Sequence, residues 1–439
     1  MGRGGAGLGR NYRRLFAAST ISNLGDGVGL IAYPWLASAV TRNPILIALV
    51  AVAQRLPWLV FTLPAGVLAD RLDRRRIMFV ANAGRAVFTG LVTLAVVWRG
   101  GDLPGPDELG SVVNTEWVLY GCVVAATLLL GLGEVLYDTS AQTFMPRLVD
   151  DQHLERANGR LWASEITANQ FLGPPLGSLL LAAGFALPFV LDAGSFLVSA
   201  ALILTIAATP PATTAPARQP WRSELREGVR WLWSHELLRP MAIILGALNG
   251  INAITFAAFV LFAQDVLGTS TIEFAALTMA GAIGGIVGGW TASWVSRRLG
   301  SGHSLWLTLL GGAIAAGVIG LVTNVPAVGL MFSAFSFLAV LWNVITVSLR
   351  QSIIPDHLLG RVNSVYRFFA WGMIPIGSLV GGLVVALTDV FADRELALRM
   401  PWFVAAVAQV GVFWYAKDRL TTQRMDAARA AAIQQPSSP

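Results

Sequence analysis

Seven ionisable side chains, Asp26, Arg55, Arg85, Glu134, Asp138, Glu165 and Asp192, stand within or against long runs of apolar residues. Charge in hydrocarbon costs at least a few kcal/mol, so ionisable groups that persist there face a polar cavity, a partner or a pathway. Asp26 lies about 12 residues into a run of roughly 26, near the middle of a bilayer-length segment. A carboxyl group there can carry a proton at neutral pH, or it can pair with a neighbouring helix. Glu134 and Asp138 are four residues apart and share a helix face. They can relay protons or attract a cation, or pair with Arg85 at comparable depth. Arg55, mid-way along its own run, can meet Asp26 or an anionic group of a ligand. Trp58, Gln170, Asn249, Asn252, Trp342 and Asn343 add neutral groups at similar depth, with Asn249 and Asn252 on one face. Aromatic rings with a few amides suit a bulky amphiphile; tryptophans in lipid also serve as packing and interface anchors.

This chemistry moves protons and ligands rather than making bonds. The chain has no nucleotide-cradling Gly-rich Lys motif and no nucleophile beside a base, and its only histidines are His153, His235, His303 and His357. Neither an enzyme nor an ATP-driven pump is expected, and no catalytic residue, cofactor or metal. The single cysteine, Cys122, excludes an intramolecular disulfide and a cysteine metal cluster and reads as a small apolar helix residue.

The elements that must hold these groups are membrane helices. Of 439 residues 55% are hydrophobic and 13% charged, with a mean hydropathy of +0.63, against about 25% charged in soluble domains. The apolar residues gather into stretches of about 20, each able to cross about 30 Å of hydrocarbon at about 1.5 Å per residue. Twelve are predicted, over 14–40, 45–70, 77–98, 116–145, 160–183, 186–208, 239–264, 272–296, 304–323, 326–350, 362–388 and 400–416. The first is too long for a signal-peptide core and is read as a mature helix.

The formal charge of +6 and pI of about 10.1 would fit a nucleic-acid partner if the basic residues were dispersed. With the N-terminus inside, 24 of the 31 Lys and Arg fall on one side, and Arg42, Arg99, Arg394 and Arg399 on the other. The positive-inside rule therefore places both termini in the cytoplasm, and the basicity reports topology rather than a polyanion. Arginine outnumbers lysine thirty to one, which fits a GC-rich bacterial genome, and a bacterial cytoplasmic (inner) membrane is the expected location.

The polar interruption from Pro210 to Pro240 divides the spans six and six. Its first part is rich in Pro and Thr and extended. Its second, Trp221 to Leu237, sets Leu225, Val229, Leu232 and Trp233 at helical spacing against Arg222, Glu224, Arg226, Glu227 and Arg230, an amphipathic helix on the cytoplasmic face. The predicted organisation is a six-helix bundle over 1–209, a linker over 210–238, a second bundle over 239–417 and a cytoplasmic tail over 418–439. The halves echo each other. Asp151, Leu154, Arg156 and Asn158 recur 205 positions later as Asp356, Leu359, Arg361 and Asn363, and Gly66, Arg74 and Arg75 match Gly289, Arg297 and Arg298 at an offset of 223. The 18-residue difference fits a longer loop in the first half, Arg99 to Glu116. Two parallel repeats are expected.

The loop Gly66-Val67-Leu68-Ala69-Asp70-Arg71-Leu72-Asp73-Arg74-Arg75-Arg76 resembles the signature of the major facilitator superfamily. Gly66 permits close helix approach, Asp70 can accept from the N-terminus of a neighbouring helix, and Arg71, Arg74 and Arg75 hold the loop at an anionic leaflet. In that family the loop is thought to latch against the eleventh helix. Ser293 stands where an echo of Asp70 would fall, so the latch is expected to be one-sided.

Gly173-Pro174-Pro175-Leu176-Gly177 is similar to the Gly-Pro motif of the family's exporters, with proline supplying a bend and the glycines tight packing against the partner half. Asn169 and Ser178 depart from that pattern. Asn23-Leu24-Gly25-Asp26, Pro34-Trp35-Leu36, Glu134 to Pro146, Leu154-Glu155-Arg156-Ala157-Asn158 and Gly360-Arg361-Val362-Asn363-Ser364 resemble the branch of siderophore, macrolide and multidrug exporters. The resemblance implies an all-α fold of two pseudo-symmetric six-helix bundles. It also implies proton-coupled export of a drug-like amphiphile or siderophore by alternating access, by a protein working as a monomer. An importer, uniporter or lipid translocator on the same fold, or a transport-dead receptor, is the alternative.

Overall fold

The computed structural model describes residues 8–99, 103–105, 108–109, 112, 114–150, 153–207, 221–354 and 356–434. Among these residues the ordered elements are all helical, with no strand. Lipid demands this, because a segment with no water around it must satisfy its N–H and C=O groups internally. Ten described helices are long and apolar enough to cross a membrane, and the protein is an all-helical, multi-pass membrane protein.

In the first half the unbroken spans are α1 (Arg10–Val40), α4 (Arg74–Arg99), α5 (Trp117–Phe144) and α8 (Leu187–Leu204). The other two expected runs are interrupted, each at proline. The second is split into α2 (Pro44–Val60) and α3 (Thr62–Arg71). Pro64 lacks an N–H and crowds the carbonyl four residues back, which is that of Val60, where α2 stops. The fifth begins as α6 (Leu154–Ile166), widens into a π-helical segment over Thr167–Leu172 and continues as α7 (Gly173–Ala183). Ahead of the two prolines the Gly173 N–H donates to the Ala168 carbonyl, five residues back, so the expected bend takes the form of a π turn.

The second half holds α9 (Trp221–Ser234), α10 (Leu238–Ala257), a single turn α11 (Phe259–Leu261) and a π segment over Phe262–Val266. Then follow α12 (Thr271–Leu299), α13 (Ser301–Leu321), α14 (Val325–Ile353), α15 (Asp356–Thr388), α16 (Arg394–Ala416) and α17 (Thr422–Gln434). Helix starts are capped by side chains: Asn43 accepts from the Ile45 N–H at 2.9 Å, Asn324 from Ala327 at 3.0 Å and Asp393 from Leu396 at 2.7 Å.

Contacts divide the chain into two compact units, Met1–Thr213 with Thr269–Ala275, and Thr214–Gly268 with Ala276–Pro439. The extended part of the linker expected at 210–220 lies outside the described residues. In each unit glycines let two helices touch backbone to backbone. In the first, a Cβ on Gly27 would stand 2.9 Å from the Ala168 carbonyl, and one on Gly177 2.7 Å from the Val28 carbonyl, while Gly173 faces Gly27 itself. In the second, Gly377 of α15 faces Gly250 of α10, and a Cβ on Gly381 would lie 3.0 Å from Ile254. Gly27 and Gly250 are 223 residues apart and Gly173 and Gly377 are 204 apart, within one residue of the offsets carried by the loops.

Two expectations are corrected here. The Gly-Pro glycines were expected against the partner half; they close instead on α1 of their own unit. Gly66 was expected to permit a close helix approach, yet a Cβ there would meet nothing within 4 Å.

The amphipathic segment forms α9 and lays its apolar side on protein: Leu232 is buried in the core of the second unit and Trp233 stacks on Phe369 at 5.8 Å. Between α9 and α10, His235 Nδ1 accepts the backbone N–H groups of Leu237 and Leu238, both at 3.2 Å. Only an unprotonated Nδ1 can accept. Burial holds the imidazole below its ordinary value of 6.5.

Two outcomes follow. Gly173→Val should overpack the α1 crossing by about 1–3 kcal/mol and lower the thermal midpoint in detergent, whereas Gly66→Ala should leave it unchanged. A depressed histidine value means that its stabilisation is complete above 6.5 and fades as pH falls through the lower, folded-state value. The protection factors of the amides at the start of α10, corrected for the intrinsic exchange rate, should therefore fall on acidification, and His235→Asn, which keeps a cap acceptor, should remove that dependence.

Candidate functional site

The polar interior of the first unit is built around one arginine. Arg85 of α4 is 2% exposed and ion-pairs with Asp26 of α1, whose side chain is 15% exposed. Its stem lies in a groove made by Gly133 of α5, where a Cβ would come within 2.6 Å of the arginine Cγ. Its guanidinium lies over the ring of Phe196 of α8, 3.9 Å from the centroid, a stacked cation–π arrangement. Asn82 accepts from Nη1 at 3.3 Å and donates its own amide to Ser199 at 2.8 Å. Four elements of the unit thus converge on one charge.

Asp26 can stand in the middle of α1 because the helix is stripped around it. Gly25, Gly27 and Gly29 flank it at alternate positions. Gly25 faces Ser195 and Asp192 of α8, and Gly27 faces the π segment and α7. Tyr137 of α5 meets Ser19 at 3.1 Å, and Tyr33 meets Thr89 at 3.4 Å.

The pairing expected from depth along the helices is corrected. Arg55 was expected to meet Asp26 or an anionic group of a ligand, and Glu134 and Asp138 to relay protons, attract a cation or pair with Arg85. Instead Arg85 takes Asp26, and Arg55 takes Glu134 at 3.6 Å. The reason is tertiary: the Gly133 groove and the Phe196 ring direct Arg85 across to α1. Asp138 and Glu134 remain within electrostatic reach of Arg85. Glu165 is exposed and acts on Asp138. Asp192 is buried at 2% exposure.

Of the remaining candidates, Trp58 and Gln170 belong to the first unit and Asn249, Asn252, Trp342 and Asn343 to the second. Trp58 is buried against Ala65 and Val135. Gln170 is exposed on the π segment. Asn249 donates to the Ala370 carbonyl at 2.9 Å, tying α10 to α15. Asn252 is half-buried. Trp342 is 3% exposed inside the second unit's core, and Asn343 is exposed with its amide turned back on the Ala339 carbonyl at 3.0 Å.

In the signature loop the arginines hold helix ends. Arg74 Nε donates to Thr143 at 3.0 Å and Arg75 to the Leu204 carbonyl at 2.8 Å; Arg14 joins it on the Thr205 carbonyl. Cations on the last carbonyls of α8 meet the negative end of its dipole. Arg71 is exposed, and the Asp70 side chain, like those of 355–361, lies outside the described residues. Reasoning from sequence missed Asn82, Gly133, Phe196 and the glycines at 27 and 29; the alternating glycines about Asp26 were the available signal.

Chemically, a carboxyl group that can bind either a guanidinium or a proton is a switch, and Asp26 has that choice. Breaking a buried pair from one side costs about 3–5 kcal/mol. Arg85→Gln should therefore cut the yield of folded protein and lower its thermal midpoint, and adding Asp26→Asn in the same chain should recover part of the loss.

The sequence profile of the Major Facilitator Superfamily matches residues 15–378. The multidrug efflux pump Tap of Mycolicibacterium fortuitum is 25% identical over 413 residues, 90% of this chain and 94% of that one. The enterobactin exporter EntS of Shigella boydii is 25% identical over 382 residues, 86% of each. Among solved structures, a mutant form of the nucleoside transporter NupG superposes with a TM-score of 0.70 at 13% identity, over 94% of this chain and 100% of that one. An inward-facing bacterial homologue of the iron transporter ferroportin gives 0.66 at 17%, over 92% and 98%. At such identities the structural matches speak for the fold alone.

Proposed function

The chain belongs to the major facilitator superfamily, and from that membership we propose that it is a proton-coupled exporter of a drug-like amphiphile or siderophore. It works in a bacterial cytoplasmic membrane with both termini on the cytoplasmic side. The observation that carries the coupling is a surplus of carboxylates. Asp26, Glu134, Asp138 and Asp192 surround Arg85, and Arg55 is the second guanidinium of the cluster. Among the described residues Asp26 is paired with Arg85 and Glu134 with Arg55, whereas Asp138 and Asp192 have no ion pair of their own. Glu165 adds a further negative charge on Asp138, so protons or a cationic ligand can answer for the excess. The direction of transport is supported by the names of two relatives, an efflux pump and an exporter, and by the glycine-proline run on α7.

The mechanism we infer is alternating access. A proton arriving from outside neutralises Asp26 and releases Arg85, which removes the bond tying α1 to α4. Helix α1, whose glycines bring α7 and α8 against its backbone, is then free to shift, and the conformational change carries the ligand outward. Glu134 and Asp138, one turn apart, relay the proton toward the inner side. In the first unit Arg55 and Gln170 keep polar groups accessible to ligand, and in the second, taken by itself, Asn343 does. Asp70 and the loop arginines bias one packing of the helices as a latch, and the protein acts as a monomer with protons and one small molecule as its partners.

Transport into everted vesicles tests this. An imposed proton gradient should drive accumulation of at least one hydrophobic, drug-like compound, and absence of gradient-dependent flux for a chemically diverse panel removes proton coupling. Asp26→Asn should abolish the gradient-driven component at unchanged expression; retained activity would assign Asp26 a purely structural role.

A further inference from the structure

The geometry points to Asp192 as a second proton-binding site, a buried store that shares one proton and one guanidinium with Asp26. Asp192 sits on α8 at 2% exposure, and its Oδ1 has no hydrogen-bond partner among the described residues. It is pressed against the bare backbone of α1. A Cβ on Gly25 would stand 2.5 Å from Oδ1, and one on Gly29 3.6 Å from Oδ2, so the carboxyl group lies against the turn that carries Asp26. A side chain at Gly25 would push it away, whereas a Cβ at Gly29 would only touch it.

The groups that face it are few. Helix α1 contributes Asp26 and Tyr33, and α4 contributes Arg85. From α7, which also packs on α8, there is nothing to titrate between Gly173 and Ala183. On α8 itself, Ser195 bonds back to the Asp192 carbonyl at 2.7 Å, and Phe196, four residues on and so on the same face, carries the Arg85 guanidinium at 3.9 Å. Asp192 and Asp26 therefore flank a single cation, and that cation is engaged by Asp26. A buried carboxylate with an unsatisfied oxygen and no cation of its own is far costlier than a neutral acid. The proton belongs on Asp192.

The exchange conserves charge. In the arrangement seen, Asp26 is ionised on Arg85 and Asp192 holds a proton. When Arg85 swings from Asp26 to Asp192, the Asp192 O–H bond breaks, its proton passes to an Asp26 oxygen, and the guanidinium pairs with the new carboxylate. Asp26, the more exposed of the two, is the port through which protons enter and leave. Asp192 keeps one on hand while the port is occupied by arginine. This role rests on the proton-coupled function proposed above; the protonation of Asp192 does not.

Infrared spectroscopy of the full-length protein in lipid nanodiscs tests the site without any transport assay, through the carbonyl stretch of protonated carboxyl groups at neutral pH. The wild-type protein should show such a band, Asp192→Asn should lose a component of it, and Asp26→Asn, which leaves Arg85 free to pair with Asp192, should lose that same component. A wild-type spectrum with no protonated carboxyl group, or an Asp192→Asn spectrum unchanged from wild type, overturns the assignment. Because Asn is isosteric with the neutral acid, the thermal midpoint of Asp192→Asn should stay near wild type; a fall as large as that of Arg85→Gln would mean an ionised partner and would also overturn it. A band assigned to Asp192 in a protein with no gradient-driven flux sinks the exporter function and leaves the proton site standing.

Discussion

A guanidinium cannot shed its proton inside a protein, so burying Arg85 fixes a positive charge in the interior of the first unit. The surrounding sequence answers to that charge. Asp26 supplies the counter-ion, Phe196 a ring face, Asn82 an acceptor, and Gly133 the space for an aliphatic stem. These come from four different helices, so the site exists only when all four are seated. In the proposed mechanism the charge is also what makes α1 responsive. A helix held by van der Waals contact alone has nothing to sense, whereas one tied by a carboxylate can be released by neutralising it.

Close approach is the second constraint, and it is paid for in glycine. Lipid gives helices no hydrophobic reason to associate, so tight crossings rest on backbone contact. The Gly27–Gly173 crossing in one unit and the Gly250–Gly377 crossing in the other show the same solution used twice. Their common spacing agrees with the loop echoes. The two units differ in what surrounds the crossing. Asp26 and Asp192 border it in the first, whereas in the second Gly246 and Gly250 lie against Met373, so among the described residues the two crossings differ in the ionisable groups beside them.

Much of this was legible in the amino-acid string. Lengths of about 20 apolar residues declare membrane helices on their own, and a mid-run Asp26 declares itself by what it costs. The choice of partner for Asp26 did not, because depth along a helix says nothing about rotation around it. Arg55 and Arg85 both lie at plausible heights. What decides between them is the missing Cβ at Gly133 and the ring at Phe196, neither of which advertises an arginine. The interruptions after Val60 and Ile166 had visible causes in Pro64 and Pro174, but hydropathy alone runs straight through them. The Gly-Pro glycines close on α1 of their own unit rather than on the expected partner half, since a motif names a face without naming what it faces.

The π segment over Thr167–Leu172 fixes angular phase. An α-helix advances about 100° per residue, so a π turn, by holding one residue more than an α turn, rotates everything after it by nearly a third of a revolution. Gly173 and Gly177 point at α1 because of that rotation. Deleting any one residue between 167 and 172 would leave every side chain type in place and turn the glycines off the contact, swinging bulkier neighbours toward Gly27. The residue count of this stretch thus matters beyond its composition, because an insertion or deletion here re-aims the face that closes on α1.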